Sequence, residues 1–164
     1  MKKIAVIMGS TSDLPVVEKT LAVLRAYDVS FSVRVLSAHR SPRAAQAFAE
    51  SARGEGYGVL IAAAGKAAHL AGALAANTTL PVIGLPVKSS ELDGLDALFS
   101  TVQMPSGIPV ATVAINGGAN AALLAIQILA VEDLALAKRL GEARVSAAEE
   151  IAEKDKAIAQ QYSE

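Results

Sequence analysis

The run Ile4-Ala5-Val6-Ile7-Met8 is apolar at every position. A strand that alternates faces cannot be this uniform unless both faces are covered, so the run points to a central strand with helices above and below it. The rest of the chain repeats the pattern. Further strands are expected at Ser30 to Leu36, Val59 to Ala63, Pro81 to Leu85 and Pro109 to Ile115. Between them lie segments of helical spacing. In the first, Ser12 or Asp13 can cap, Pro15 sits in the first turn, and Leu14, Val17, Leu21 and Leu24 form a stripe. Ser41 caps and Pro42 opens a second helix reaching about Glu55, and Ala67 to Asn77 reads as a third. The stretch 87–108 is less regular, with a short helix around Leu95 to Val102. After the turn Asn116-Gly117-Gly118, Ala119 to Val131 is apolar nearly all round, and 133–162 is a long charged helix whose inner face carries Leu136, Leu140 and Ile151.

Strands alternating with helices build a parallel, doubly wound α/β sheet. Right-handed crossovers place all strand C-termini on one edge. With five strands the expected order is 2-1-3-4-5, which sets strand 1 between strands 2 and 3. The loops after those three strands then lie side by side. They carry Ser10, Ser12 and Asp13; Ser37, His39 and Arg40; and Gly65, Lys66 and His69. Both histidines of the chain fall on that edge.

Composition narrows the classes further. A chain of 164 residues suits one domain, 1–164, and its core must be aliphatic because only 4% of residues are aromatic while 52% are hydrophobic. Mean hydropathy is +0.40, yet no apolar run approaches the roughly 20 residues that span a bilayer. The surplus apolar surface is expected between copies of the chain, and membrane insertion is not. A net charge of −1 without a basic, aromatic stripe argues against nucleic-acid binding. Absence of cysteine removes disulfides, thiolate chemistry and Cys-based metal sites. Met1-Lys2-Lys3 runs straight into the first strand without a signal-peptide core, so the cytoplasm is the expected location.

Each motif has an ordinary reading beside the functional one. Gly9-Ser10-Thr11-Ser12-Asp13 offers hydroxyls and backbone N–H groups for a phosphate and a carboxylate for sugar hydroxyls, or it is a capped strand-to-helix turn. In Ser37-Ala38-His39-Arg40 the guanidinium can grip an anion bidentately and the imidazole can move a proton; the plain alternative is a solvated loop. Gly65-Lys66-Ala67-Ala68-His69-Leu70 is not a P-loop, because Leu60 stands where the first glycine belongs and Ala67 where Ser or Thr belongs. No Gly-x-Gly-x-x-Gly follows a strand, and two histidines thirty residues apart without clustered carboxylates make no zinc signature. A phosphate-accepting receiver would need carboxylates where Met8-Gly9 stands.

At these residues the chain resembles the class I N5-carboxyaminoimidazole ribonucleotide mutases. The matching stretches are Met8-Gly9-Ser10-Thr11-Ser12-Asp13, Ser37-Ala38-His39-Arg40-Ser41-Pro42, Ala67-Ala68-His69-Leu70, the run from Val102 to Thr112, and Asn120 to Ala125. The resemblance covers nearly the whole chain. It implies a flavodoxin-like three-layer α/β/α fold, a homo-octamer, and catalysis without metal or organic cofactor. The implied reaction moves a carboxylate from the exocyclic nitrogen of N5-carboxyaminoimidazole ribonucleotide to a ring carbon, giving 4-carboxy-5-aminoimidazole ribonucleotide. By the same resemblance Ser10, Asp13 and Arg40 hold the ribonucleotide, Ser12 and Ser37 help bind the phosphate, His39 transfers protons, and Gly65, His69 and Leu70 line the pocket.

The family usually has glycine at the position of Lys66, and proline where Ala71 stands. Read as the start of the third helix, residue 66 is a poor place for a cation, since the helix dipole disfavours it by roughly 0.3–1 kcal/mol. The lysine either meets an anion, extends into solvent, or crowds the pocket. Two other functions compete with the mutase: direct carboxylation of aminoimidazole ribonucleotide, as in a sister class that usually lacks the histidine at 69, and non-catalytic binding of a phosphoribosyl ligand.

Overall fold

The computed structural model describes residues 2–163. Its sheet has five parallel strands in the order β2-β1-β3-β4-β5, as the alternation predicts. They are β1 (Lys3–Met8), β2 (Phe31–Val35), β3 (Tyr57–Gly65), β4 (Val82–Val87) and β5 (Ala111–Thr112). The helices are α1 (Leu14–Ala26), α2 (Pro42–Ser51), α3 (Leu70–Ala75), α4 (Leu95–Val102), α5 (Gly118–Ala130) and α6 (Leu134–Tyr162).

Register explains why the first run is apolar throughout. Val6 pairs with Val33 on one side and Ile61 on the other, and Ile61 in turn pairs with Ile83. Ile4, Val6 and Met8 pack with Ile61, Ile83 and Leu85 against α1 and α5. Ala5 and Ile7, on the opposite face, pack with Leu60, Ala62 and Val82 against α2 and α3. Two aliphatic cores thus sandwich the sheet. Each buried Val, Leu or Ile contributes roughly 1.5–3 kcal/mol.

Several boundaries depart from expectation, each for a local reason. β5 pairs over only two residues rather than the whole of Pro109 to Ile115. Pro109 has no N–H to give a ladder, and beyond Thr112 only single bonds reach β4, from the Val113 N–H to the Gly84 carbonyl at 3.1 Å and from the Asn116 N–H to the Pro86 carbonyl at 2.9 Å. β3 is longer than expected, taking in Tyr57 and Gly58 before the run and Gly65 after it. α2 ends at Ser51, short of Glu55. α3 begins at Leu70, not Ala67, so residues 66–69 are loop.

The last helix has two parts. Leu136 is buried and Leu140 half-buried against the core, and the Arg139 guanidinium donates to the Ala26 and Tyr27 carbonyls at 2.7 and 2.8 Å, closing the C-terminus of α1. From Gly141 to Ser163 every residue is exposed in this chain, Ile151 included, although the sequence places Ile151 on the inner face. No helix among the described residues is long and apolar enough to cross a membrane.

Candidate active site

The strand order brings the loops after β1, β2 and β3 together, and they wall a cleft of about 500 Å³. Every site residue expected from sequence lines it: Ser10, Ser12, Asp13, Ser37, His39, Arg40, Gly65, Lys66, His69 and Leu70.

The β1 loop folds on its own side chains. Thr11–Asp13 forms a single 3-10 turn capped by Ser10, and Asp13 occupies the expected N-cap position of α1 without making a side-chain bond to that helix. The Ser10 Oγ accepts from the Ser12 N–H at 3.3 Å and from the Ser12 hydroxyl at 2.9 Å. The Asp13 carboxylate reaches back to accept the Ser10 N–H at 3.2 Å, completing a reciprocal cap. Asp13 is buried, and that burial holds its carboxyl above the usual value of 3.8, against the opposing pull of the Ser10 N–H and the Ser12 hydroxyl.

The β2 loop is tied the same way. Ser41 occupies the cap position of α2 but makes no side-chain bond to that helix. Its hydroxyl instead accepts the Ser37 N–H at 2.9 Å and donates to the Ser37 carbonyl at 3.1 Å. The Ser37 hydroxyl accepts the Arg40 N–H at 3.1 Å. Arg40 then spans to the β1 loop, donating to the Gly9 carbonyl at 3.2 Å. Hydroxyls and a guanidinium from two loops therefore face one space, a donor set suited to a phosphate.

The two histidines meet where the β2 and β3 loops approach each other. His39 Nε2 lies 2.8 Å from His69 Nδ1, with the rings edge to face at 79°. One nitrogen donates to the other, so the pair can store and pass a proton beside the cleft. His69 immediately precedes α3. The strand ends at Gly65, where a Cβ would approach the Val87 carbonyl oxygen to 3.1 Å, so the small residue keeps β3 and β4 close at the cleft floor. Ala38, Ala64 and Ala67 complete a small-residue lining.

Lys66 does not stand at a helix N-terminus. Its backbone has φ +55°, the left-handed region that glycine adopts freely and that costs other residues about 1–2 kcal/mol. Its ammonium pairs with Glu91 at 3.5 Å.

Four lining residues lie outside the motifs read from the sequence: Val87 at the end of β4, and Lys88, Ser89 and Ser90 from the loop after it. The signal was present, since Lys-Ser-Ser follows a short apolar run just as the hydroxyl loops follow β1 and β2. Lys88 pairs with Asp93 at 2.8 Å, and the Ser89 hydroxyl donates to Asp96 at 3.3 Å.

Comparison with known proteins agrees with this geometry. The family model described as AIR carboxylase matches residues 3–150. An N5-carboxyaminoimidazole ribonucleotide mutase of Pyrococcus abyssi is 54% identical over 132 residues, covering 80% of this chain and 76% of that one. A Saccharomyces cerevisiae phosphoribosylaminoimidazole carboxylase is 51% identical over 148 residues, which are 90% of this chain but 26% of the longer relative. Among solved structures, that of Treponema denticola PurE superimposes with a TM-score of 0.86 at 28% identity, covering 93% of this chain and 96% of that one.

Proposed function

The chain belongs to the AIR carboxylase family, and on that premise we propose that it acts as an N5-carboxyaminoimidazole ribonucleotide mutase of purine biosynthesis. The observation that carries the reading is the 2.8 Å contact between His39 and His69 beside a two-loop anion cradle. A mutase must bind one ribonucleotide and move protons without net gain or loss, and this cleft offers both capacities.

In the proposed pose the phosphate sits on Ser12, Ser37 and Arg40, and Ser10 and Asp13 take the ribose hydroxyls. Gly65 and Leu70 line the base end, where His39 faces the imidazole ring. His39 first gives a proton to the exocyclic nitrogen as the N–C bond to the carboxylate breaks. Carbon dioxide and aminoimidazole ribonucleotide result, both still enclosed. The ring carbon then attacks carbon dioxide, forming the new C–C bond. His39 takes the hydrogen from that carbon as a proton, which restores the aromatic ring. One imidazole ends as it began, and His69, bonded to its Nε2, holds the ring in place between steps. Confinement supplies much of the rate, because carbon dioxide recaptured at once behaves as a reagent at very high local concentration. The small lining at Ala38, Ala64 and Ala67 suits its retention.

We further propose one mutase domain over 1–164, working in the cytoplasm as a homo-octamer without metal or organic cofactor. Support for assembly comes from apolar side chains left exposed in the single chain: Leu95, Phe99 and Val102 on α4, and Val145, Ile151 and Ile158 on α6.

The test is a substrate comparison. Purified protein should convert N5-carboxyaminoimidazole ribonucleotide to the 4-carboxy product in buffer stripped of bicarbonate, followed by product absorbance. Turnover only of aminoimidazole ribonucleotide with bicarbonate would mean direct carboxylation. Binding without turnover of either would mean a ligand-binding protein.

A further inference from the structure

Three cationic side chains line the cleft, and their partners divide their tasks. Arg40 bridges the β1 and β2 loops and stands at the phosphate end. Lys88 is held by Asp93 at 2.8 Å. Lys66 lines the same cleft from the β3 loop, three residues before His69 in the chain. Its Nζ is 3.5 Å from the Glu91 carboxylate, a loose contact with both side chains more than 60% exposed. Water and salt screen such a pair, so a better-placed anion can take the ammonium from it.

The backbone adds a second observation. A lysine is held at φ +55°, which glycine would occupy without strain. Strain of this kind, retained at the rim of a ligand cleft, needs a compensating gain. The substrate has two anions, a phosphate and the migrating carboxylate, and the phosphate is already matched by Arg40 and the hydroxyls.

We propose that Lys66 is a specificity residue that reads the migrating carboxylate, with Glu91 as the anion it sets aside on binding. The inference rests on the mutase reading and goes beyond it, since the proton chemistry needs only the histidines. The carboxylate loses its charge as it becomes carbon dioxide. A cation on it is therefore held more tightly in the ground state than in the transition state, so Lys66 sets affinity and does not raise kcat. Glu91 competes for the same ammonium. Its own carboxyl is held below the usual value, first by the Ser90 hydroxyl and then by the Lys66 charge.

The test measures binding of 4-carboxy-5-aminoimidazole ribonucleotide and of 5-aminoimidazole ribonucleotide, which lacks the carboxylate, by calorimetric titration. Lys66→Gly suits the left-handed backbone and should fold. It should weaken the carboxylated ligand about fivefold and leave the other unchanged. Lys66→Arg should keep the preference, and Glu91→Gln should strengthen it. In turnover, Lys66→Gly should raise KM and leave kcat equal or higher. Equal effects of Lys66→Gly on both ligands, or none on either, would overturn the assignment while leaving the mutase reading intact. Failure of the unmodified protein to bind either ribonucleotide would overturn both.

Discussion

The two walls of the cleft are built differently. The loops after β1 and β2 are laced by short-range hydrogen bonds: Ser10 with Ser12 and Asp13, Ser37 with Ser41 and Arg40, and Arg40 across to Gly9. The loops after β3 and β4 are joined to each other by an exposed ion pair, Lys66 to Glu91, with Lys88 to Asp93 alongside, and contain a strained backbone. Geometry on the first wall is set before a ligand arrives. On the second, the Lys66 ammonium is held only loosely by Glu91, at 3.5 Å. The proposed pose, a phosphate gripped rigidly and a carboxyl group released and recaptured, has use for both kinds of wall.

The sharpest way to test this division is at the point where the walls meet. His39→Asn should lower turnover by about 10²–10⁴-fold, while calorimetric affinity for aminoimidazole ribonucleotide stays within a few-fold of the unmodified protein. A large loss of affinity instead would make His39 part of the binding wall. Next in size is Arg40→Lys, which keeps the charge but loses the planar fork. KM should rise roughly tenfold with kcat less affected. Ser41→Ala removes the acceptor for the Ser37 N–H and should cost about 1 kcal/mol in thermal or urea unfolding, with a smaller rise in KM.

Asp13 gives a pH signature. Its carboxyl is raised above 3.8 by burial, so the folded protein takes up that proton more readily than the unfolded chain. Above the folded value the buried charge opposes folding. As pH falls through the window between the folded value and 3.8, this group's contribution to stability improves, even as the carboxylate proposed to take the ribose hydroxyls is lost. Ribonucleotide affinity should therefore weaken on acidification beginning above pH 3.8, and Asp13→Asn should remove that dependence. The smallest effect belongs to the second wall. Lys66→Gly should raise unfolding stability by up to about 1 kcal/mol by relieving the left-handed lysine.

The same contrast explains what could be read from the chain. The uniform run Ile4 to Met8 and the strand–helix alternation carry long-range information, because a parallel sheet with both faces covered leaves few orders to choose among. That order alone brought the serines, Arg40 and both histidines together. Local hydrogen-bond choices were less legible. Asp13 takes the expected N-cap position of α1 but turns its carboxylate back to the Ser10 N–H, and Ser41 turns its hydroxyl to Ser37 rather than to its own helix, because each side chain has several partners within reach. The late start of α3 is encoded by neither propensity nor periodicity: Lys66 takes a φ of +55° and the His69 N–H bonds to the Ala67 carbonyl at 2.9 Å before the helix begins at Leu70. Lys88, Ser89 and Ser90 are less legible because the residues beyond them lack a clear period, although β4 ends at the same edge.

The placement of the nucleotide is tested most directly by a crystal structure of the protein with bound 4-carboxy-5-aminoimidazole ribonucleotide. The account predicts the phosphate on Ser12, Ser37 and Arg40, and the carboxyl-bearing ring carbon within about 4 Å of the His39 imidazole. A phosphate seated instead on the Lys66–His69 loop, with His39 turned from the ring, would contradict it.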